Sequence, residues 1–238
     1  MPGGDKYIWL IWALAFLIPW GLLYAVFPAQ RRVMWWSSSL TALFGLTEPI
    51  FVPEYWNPPS LFDLAQRTGF DIESLIFCFG IGGVGAVLYN ALTRRQLLPM
   101  RPHERNNPRH RFHRWVLGAP FVVFIALYLL PWNAIYPGIA ALLVGGVAAA
   151  LCRPDLAWKT LLGGVLFAAF YVFFLAMLEL MAPGYIARVW NLPALSGVMV
   201  GAFPIEELLF GFGIGAYWSG VYEHLSWHHS TRPASQII

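Results

Sequence analysis

The chain has 238 residues, of which 58% are hydrophobic and only 11% are charged, whereas about 25% charged residues are typical of soluble domains. This composition excludes an ordinary soluble globular protein and indicates a protein of the lipid bilayer. The net charge of +3 does not indicate a nucleic-acid partner, because seven of the 15 Lys and Arg residues lie in one loop, residues 94–114. We interpret this loop as a topology signal in contact with anionic membrane lipids.

Seven apolar segments, each close to the roughly 20 residues that cross a bilayer, follow one another along the chain. They cover residues 7–27, 33–52, 72–92, 115–130, 134–151, 160–181 and 205–225. The first segment lacks a basic leader and a small-residue cleavage site, so we expect it to remain as a membrane anchor. The segments predict an all-α polytopic membrane protein with seven transmembrane helices.

The Lys and Arg residues are divided unevenly between the two sides of these segments. When the connections are assigned alternately, one side receives only Lys6, Arg67 and Arg188, and the other receives the remaining 12 of the 15 Lys and Arg residues. Because cytoplasmic connections are enriched in Lys and Arg, we expect a multi-pass protein of the cell membrane with its N-terminus outside and its C-terminus in the cytoplasm. We expect residues 224–238 to form a loose cytoplasmic end.

A short acidic phrase occurs twice, each time at the start of a predicted helix. Phe-Asp-Ile-Glu-Ser-Leu-Ile-Phe fills residues 70–77, and Phe-Pro-Ile-Glu-Glu-Leu-Leu-Phe fills residues 203–210. The same offset of 133 positions also pairs Phe79 with Phe212, Gly80 with Gly213, Gly82 with Gly215 and Tyr89 with Tyr222. With small changes in spacing, Glu48 corresponds to Glu179, and Trp56 and Asn57 correspond to Trp190 and Asn191. The sequence therefore predicts an internal repeat with two acidic half-sites.

This repeat pairs the first three crossings with the last three and leaves the fourth unmatched. Two three-crossing units can be fused in the same orientation only if one extra crossing lies between them, which predicts two parallel repeats joined by a linking helix. The predicted boundaries are residues 1–92 for the first repeat, 93–133 for the basic cytoplasmic loop and linking helix, 134–225 for the second repeat and 226–238 for a cytoplasmic tail.

Eight of the 12 acidic residues lie around the outer segments and helix ends. They are Glu48, Glu54, Asp63, Asp71, Glu73, Glu179, Glu206 and Glu207. Carboxylates at the edge of hydrocarbon are costly and commonly functional, and crowding in a poorly solvated site favours a protonated carboxyl that can act as a general acid. The alternative is helix capping, since acids are favoured in first turns, but Glu48 and Glu179 lie near helix C-termini, where capping does not account for them.

Aromatic residues recur together with the acidic phrase. The recurring pairs are Phe77 with Phe210, Phe79 with Phe212 and Trp56 with Trp190. Their π-faces could stabilise a carbocation by about 2 kcal/mol or more when desolvated, and the alternative is core packing or an interfacial belt. We predict no metal site and no cofactor, because the histidines lie in cytoplasmic segments away from these acids and because Cys78 and Cys152 are expected to be inert core residues.

Three stretches carry a resemblance to a known family: residues 53–58, Pro-Glu-Tyr-Trp-Asn-Pro; residues 71–73, Asp-Ile-Glu; and residues 204–210, Pro-Ile-Glu-Glu-Leu-Leu-Phe. The chain resembles the integral-membrane lycopene cyclases over nearly its whole length, in the fused form of the heterodimeric type. The resemblance implies an isomerase of the intramolecular lyase class, a lycopene β-cyclase of carotenoid biosynthesis that makes β-carotene through γ-carotene without net redox change or cofactor. The partners it implies are lycopene and a monocyclic carotenoid in the bilayer, membrane lipids and other enzymes of the pathway.

On this resemblance, a protonated Glu206 or Glu207 donates a proton to the substrate, and Glu73 or Asp71 accepts one from the ring. The residues expected to bind the substrate are Glu48, Glu179, Trp56, Trp190, Phe77, Phe210, Phe212, Asn57 and Asn191. The first half departs from the pattern, because Ser74 stands where the second half has Glu207, so the two half-sites are not chemically equal.

Two alternatives stay open. A carotenoid hydratase would use the same protonation and deliver water to the cation, and a membrane transporter would use the acidic residues for coupling. A retinal protein is disfavoured, because the last segment has no lysine for a Schiff base.

Overall fold

The computed structural model describes residues 5–231, and over this part the chain is mostly helical, with two short two-stranded sheets. The helices are α1 (Ile8–Ala15), α2 (Leu17–Val26), α3 (Arg31–Ala42), α4 (Glu48–Phe51), α5 (Leu64–Thr68), α6 (Ile72–Leu92), α7 (Pro102–Arg105), α8 (His113–Val116), α9 (Ala119–Tyr128), α10 (Ile135–Cys152), α11 (Ala157–Met181), α12 (Tyr185–Val189) and α13 (Ile205–Ser226). The strands are β1 (Gln96–Pro99), β2 (Met199–Val200), β3 (Phe203–Pro204) and β4 (His228–Thr231). Apart from these small sheets, the prediction of a helical protein is confirmed.

Four helical stretches within the described residues are long and apolar enough to cross a membrane. They are Asp5–Val26, Ile72–Leu92, Ile135–Cys152 and Pro154–Met181. Each of them overlaps a predicted crossing, and together they identify the chain as a membrane protein.

The other three predicted crossings take different forms. Segment 33–52 is divided into α3, a 3-10 helix over Leu43–Thr47 and α4. Helix α9 has only 10 residues, which span about 15 Å at 1.5 Å per residue, about half of the hydrocarbon core. Helix α13 has 22 residues but carries two glutamates in its first turn. The count of seven crossings therefore stays a prediction.

Helices α6 and α13 form the centre of the bundle, and most of their residues are buried. Helix α13 packs along α10 and α11, whereas α6 packs along α3. Glycines allow the close approach: a Cβ atom at Gly215 would meet the backbone of Gly163 in α11, and one at Gly82 would meet the side chain of Thr41 in α3. The central helices thus contact their neighbours at distances that larger residues would forbid.

The two long outer connections, residues 53–71 and 182–204, pair with each other at one end of the bundle. The backbone N–H of Asn57 donates to the carbonyl of Val189 at 2.9 Å, and that of Asn191 donates to the carbonyl of Tyr55 at 2.9 Å. The rings of Trp56 and Trp190 lie between them with centroids 5.3 Å apart. The paired connections therefore cover the end at which α6 and α13 begin.

The opposite end is tied together by polar contacts and by a sheet. Lys159 forms a buried ion pair with Glu223, and the Asn90 amide donates to the same carboxylate at 3.1 Å. Strand β4 pairs antiparallel with β1. The expectation of a loose end from residue 224 is therefore wrong up to residue 231, because backbone hydrogen bonds order this segment. Residues 232–238 lie outside the described part of the chain.

Candidate active site

A cavity of about 330 Å³ lies inside the bundle beneath the paired connections. Its aromatic lining residues are Trp12, Phe44, Phe51, Tyr55, Trp56, Phe77, Phe121, Phe124, Tyr171, Trp190, Phe210, Tyr217 and Trp218. Among the described residues, only two carboxylates reach this wall, those of Glu48 and Glu207. The cavity thus combines an apolar, aromatic interior with two groups that can exchange protons.

Glu207 lies in the first turn of α13 and is 2% exposed. Its Oε2 accepts a hydrogen bond from the Tyr171 hydroxyl at 2.7 Å, and its Oε1 accepts bonds from Trp190 Nε1 at 2.7 Å and from the Tyr55 hydroxyl. Burial, followed by the nearby Glu207 charge, raises the pKa of Tyr55 well above its usual range, so this hydroxyl remains a donor. Three neutral donors from separate parts of the chain therefore surround one carboxylate, and such bonds favour its charged form.

Glu48 begins α4 and is 5% exposed, so the prediction that it lies near a helix C-terminus is wrong. Its Oε2 accepts a hydrogen bond from the Ser74 hydroxyl at 2.6 Å, whereas its Oε1 is buried without a hydrogen-bond partner among the described residues. A buried oxygen without a partner is costly for a carboxylate and less so for a neutral carboxyl group. Glu48 is therefore suited to hold a proton at the cavity wall.

The other three predicted catalytic acids do not line the cavity. Glu206 accepts bonds from the Tyr136 hydroxyl and from the backbone N–H of Ser196, both at 2.9 Å. Glu73 accepts a bond from the N–H of Leu61 at 2.7 Å. Asp71 is the N-cap of α6, where it accepts bonds from the N–H of Ser74 and from Trp9 Nε1. These contacts hold helix starts and connections in place.

The predicted substrate-binding residues are divided in the same way. Phe77, Phe210, Trp56 and Trp190 line the cavity together with Glu48. Phe212 lies against Gly164 of α11, and Glu179 accepts bonds from the backbone N–H groups of Gly184 and Ile186. Asn57 and Asn191 are exposed on the paired connections. The structure thus brings together five of these nine residues at the cavity.

Sequence reasoning missed two groups of lining residues. Tyr171 was overlooked, although a hydroxyl within an apolar segment is a signal of a buried polar partner. The linking segment was expected only to satisfy topology, yet α9 supplies Pro120, Phe121, Phe124 and Ile125 to the wall. No feature of the linking segment alone indicates which helix it faces.

Comparison with known proteins gives one result. A family model described as Lycopene cyclase matches residues 133–225, and no curated protein and no solved structure matches the chain. The matched part runs from the start of α10 almost to the end of α13 and includes Tyr171, Trp190 and Glu207. Over this second half, the chain is therefore similar to the lycopene cyclase family.

Proposed function

We propose that the chain is a lycopene β-cyclase, which closes the ψ-ends of lycopene into β-rings by acid catalysis. The observation that carries this proposal is the pair of carboxyl groups, Glu48 and Glu207, on the wall of an apolar aromatic cavity. The family match supports carotenoid cyclisation in general. The β-ring product and the isomerase class are our extension.

Glu48 is the proposed proton donor. Its carboxyl proton is transferred to the terminal C=C bond of the ψ-end, which leaves a tertiary cation on the chain and a carboxylate on the protein. The π electrons of the next double bond in the ring-forming sequence then attack the cationic carbon, a new C–C bond closes the six-membered ring, and the positive charge moves to a ring carbon. The Ser74 hydroxyl stabilises the carboxylate that is formed.

Glu207 is the proposed base. Its carboxylate, held by Tyr55, Tyr171 and Trp190, removes a proton from the ring, and the C–H electrons form the ring double bond. One proton has entered the substrate and one has left, so the reaction is an isomerisation. The proton on Glu207 must return to Glu48 before the next turnover.

The aromatic wall has two roles in this proposal. The faces of Phe77 and Phe210 can stabilise the cation, by about 2 kcal/mol for each desolvated ring. The wall also excludes water, which would otherwise trap the cation as an alcohol. A hydratase would need a water supply at this wall.

Substrate entry is proposed beside α9. Phe121 and Ile125 line the cavity and are also 53% and 63% exposed, so the cavity reaches the outer face of the bundle at this helix. A lipid-dissolved polyene can insert one end there while the remainder stays in the bilayer. This arrangement predicts that a monocyclic carotenoid is released or turned around before the second ring closes.

The seven-crossing arrangement in two parallel repeats is part of the proposal. Its support is the contact between positions that the repeat makes equivalent. Asn90 and Glu223, which are 133 positions apart, are hydrogen-bonded, and Trp56 lies against Trp190. Equivalent residues meet in this way only near a pseudo-twofold axis.

The test is pigment chromatography in a bacterium that accumulates lycopene and expresses the wild-type chain, Glu48→Gln or Glu207→Gln. We expect the wild-type chain to produce γ- and β-carotene, and each variant to lose activity by at least about 100-fold, as expected for a lost acid or base. Glu206→Gln and Glu73→Gln are the matched controls, because they remove carboxylates that do not line the cavity.

The amounts of inserted protein are compared by immunoblotting of membranes. Unchanged lycopene from a well-inserted wild-type chain would contradict the cyclase. A hydroxylated product would indicate a carotenoid hydratase and not a cyclase. If Glu48→Gln kept full activity and Glu206→Gln lost it, the proton donor would be one of the α13 glutamates, Glu206 or Glu207, and not Glu48.

A further inference from the structure

Three potential metal ligands converge at the end of the bundle opposite the acidic cavity. They are His110 in the 3-10 helix Pro108–Phe112, His113 at the start of α8 and Cys152 at the end of α10. All three are buried, and their ligand atoms lie within 4.8 Å of one another. The Nδ1 atoms of both histidines are 3.6 Å from the Cys152 sulfur.

The orientation of His113 suits coordination. Its Nε2 lies 2.8 Å from the carbonyl oxygen of His224, and an imidazole nitrogen can approach a carbonyl oxygen this closely only as an N–H donor. The lone pair of the neutral ring therefore lies on Nδ1, which faces the sulfur. A histidine ligand whose second nitrogen donates to a carbonyl is the usual arrangement around protein-bound metals.

Ring stacking holds this imidazole in place. The His113 ring lies between His224, at 3.8 Å between centroids, and Trp227, at 3.7 Å, and is nearly parallel to both. His110 packs edge-on against the same tryptophan at 5.3 Å. The ligands are therefore preorganised by contacts that do not involve a metal.

We propose that His110, His113 and Cys152 bind a single zinc ion through two Nδ1 atoms and one thiolate. Two imidazoles and one thiolate form a donor set that suits Zn²⁺, which prefers four-coordinate tetrahedral sites with nitrogen and sulfur ligands. Binding replaces the thiol proton of Cys152, which is released to solvent. Both histidines also line a second cavity, together with Arg111 and Arg114, from which a water molecule can supply the fourth ligand.

The proposed role of the ion is structural. It would join the basic loop that contains His110 and His113 to the end of α10. The ligands lie outside the acidic cavity, so zinc binding here is independent of the cyclase reaction.

The test uses the full chain purified in detergent from cells grown with added zinc. We expect about one zinc ion per chain, as in structural zinc sites, and, after exchange with Co²⁺, the near-ultraviolet charge-transfer band of a thiolate–cobalt bond. Cys152→Ser should lose this band and most of the metal. Cys78→Ser, the control that removes the other cysteine, should keep both.

A second measurement keeps the test valid if Cys152→Ser does not fold. In the wild-type chain, zinc should protect Cys152 from alkylation, and a chelator should remove this protection and lower the midpoint of thermal unfolding. A folded wild-type chain without metal and without a cobalt band would overturn the proposal. So would equal metal binding by folded Cys152→Ser.

Discussion

Adjacent residues differ in surroundings at the start of α13. Glu207 faces the cavity and three side-chain donors, whereas Glu206 faces Tyr136 and the backbone of Ser196. Consecutive positions on a helix are separated by about 100°, so two neighbouring glutamates cannot face the same wall. One carboxylate is therefore available to a ligand in the cavity and the other supports the connection.

The Tyr171 hydroxyl is one of the three donors that hold the Glu207 carboxylate. Tyr171→Phe should reduce cyclase activity about tenfold or more, because hydrogen bonds to charged groups contribute about 1.5–3 kcal/mol. The measurement is the initial rate of product formation per inserted protein.

Tyr217→Phe is the control for Tyr171→Phe. Tyr217 also lines the cavity, but its hydroxyl donates to the carbonyl of Leu117 at 3.0 Å and does not contact Glu207. An equal loss in both variants would contradict a specific role for the Tyr171 hydroxyl.

Small residues allow helices α11 and α13 to pack closely against each other. At Gly215, a Cβ atom would meet the backbone of Gly163 and the side chain of Phe167. Backbone cannot yield as a flexible side chain does, so any larger residue must separate the two helices. The cavity wall depends on this packing, because Tyr171 belongs to α11 and Glu207 to α13.

Gly215→Val should therefore destabilise the chain by about 1–3 kcal/mol, the usual cost of overpacking, and reduce activity. Gly21→Val is the matched control, because a Cβ atom at Gly21 would meet no atom within 4 Å beyond its chain neighbours and its own helix backbone, among the described residues. Thermal unfolding in detergent measures both variants. A Gly215→Val variant as stable as Gly21→Val would show that the helices are not in contact there.

A buried charge network joins three helices that are far apart in the sequence. Lys159 of α11 pairs with Glu223 of α13, to which Asn90 of α6 also donates. Burying both charges costs much of what their attraction returns, so the pair specifies an arrangement more than it adds stability. Loss of one partner leaves the other charge buried.

Lys159→Met should accordingly lower the free energy of unfolding by about 3–5 kcal/mol. The double variant Lys159→Met with Glu223→Gln should recover part of this loss. Arg188→Met, which breaks the partly exposed pair with Asp5, should cost no more than about 1 kcal/mol. Chemical or thermal unfolding separates these cases. A double variant less stable than Lys159→Met would show that the network adds net stability.

The predicted orientation in the membrane places the outer connections outside the cell and the basic loop in the cytoplasm. Val198→Cys and Phe112→Cys place thiols at positions that are equally exposed, at 54% each. A membrane-impermeant reagent added to intact cells should label Val198→Cys, and should label Phe112→Cys only after permeabilisation, because Lys and Arg favour the cytoplasmic side. The wild-type chain measures labelling of Cys78 and Cys152, and the reverse pattern would invert the predicted topology.

The amino-acid sequence was sufficient to indicate a membrane protein, the helical segments, the repeated acidic phrase and the resemblance to the lycopene cyclases. These follow from composition and local order, because about 20 apolar residues partition into a bilayer whatever surrounds them. Tertiary packing was needed to show that Glu48 and Glu207 share a cavity, that α9 forms part of its wall and that His110, His113 and Cys152 converge. In a membrane helix, the lipid-facing and core-facing sides are both apolar, so periodicity does not reveal which side faces inward. Contacts between segments far apart in the chain depend on how each helix is rotated about its axis, and packing alone decides that rotation.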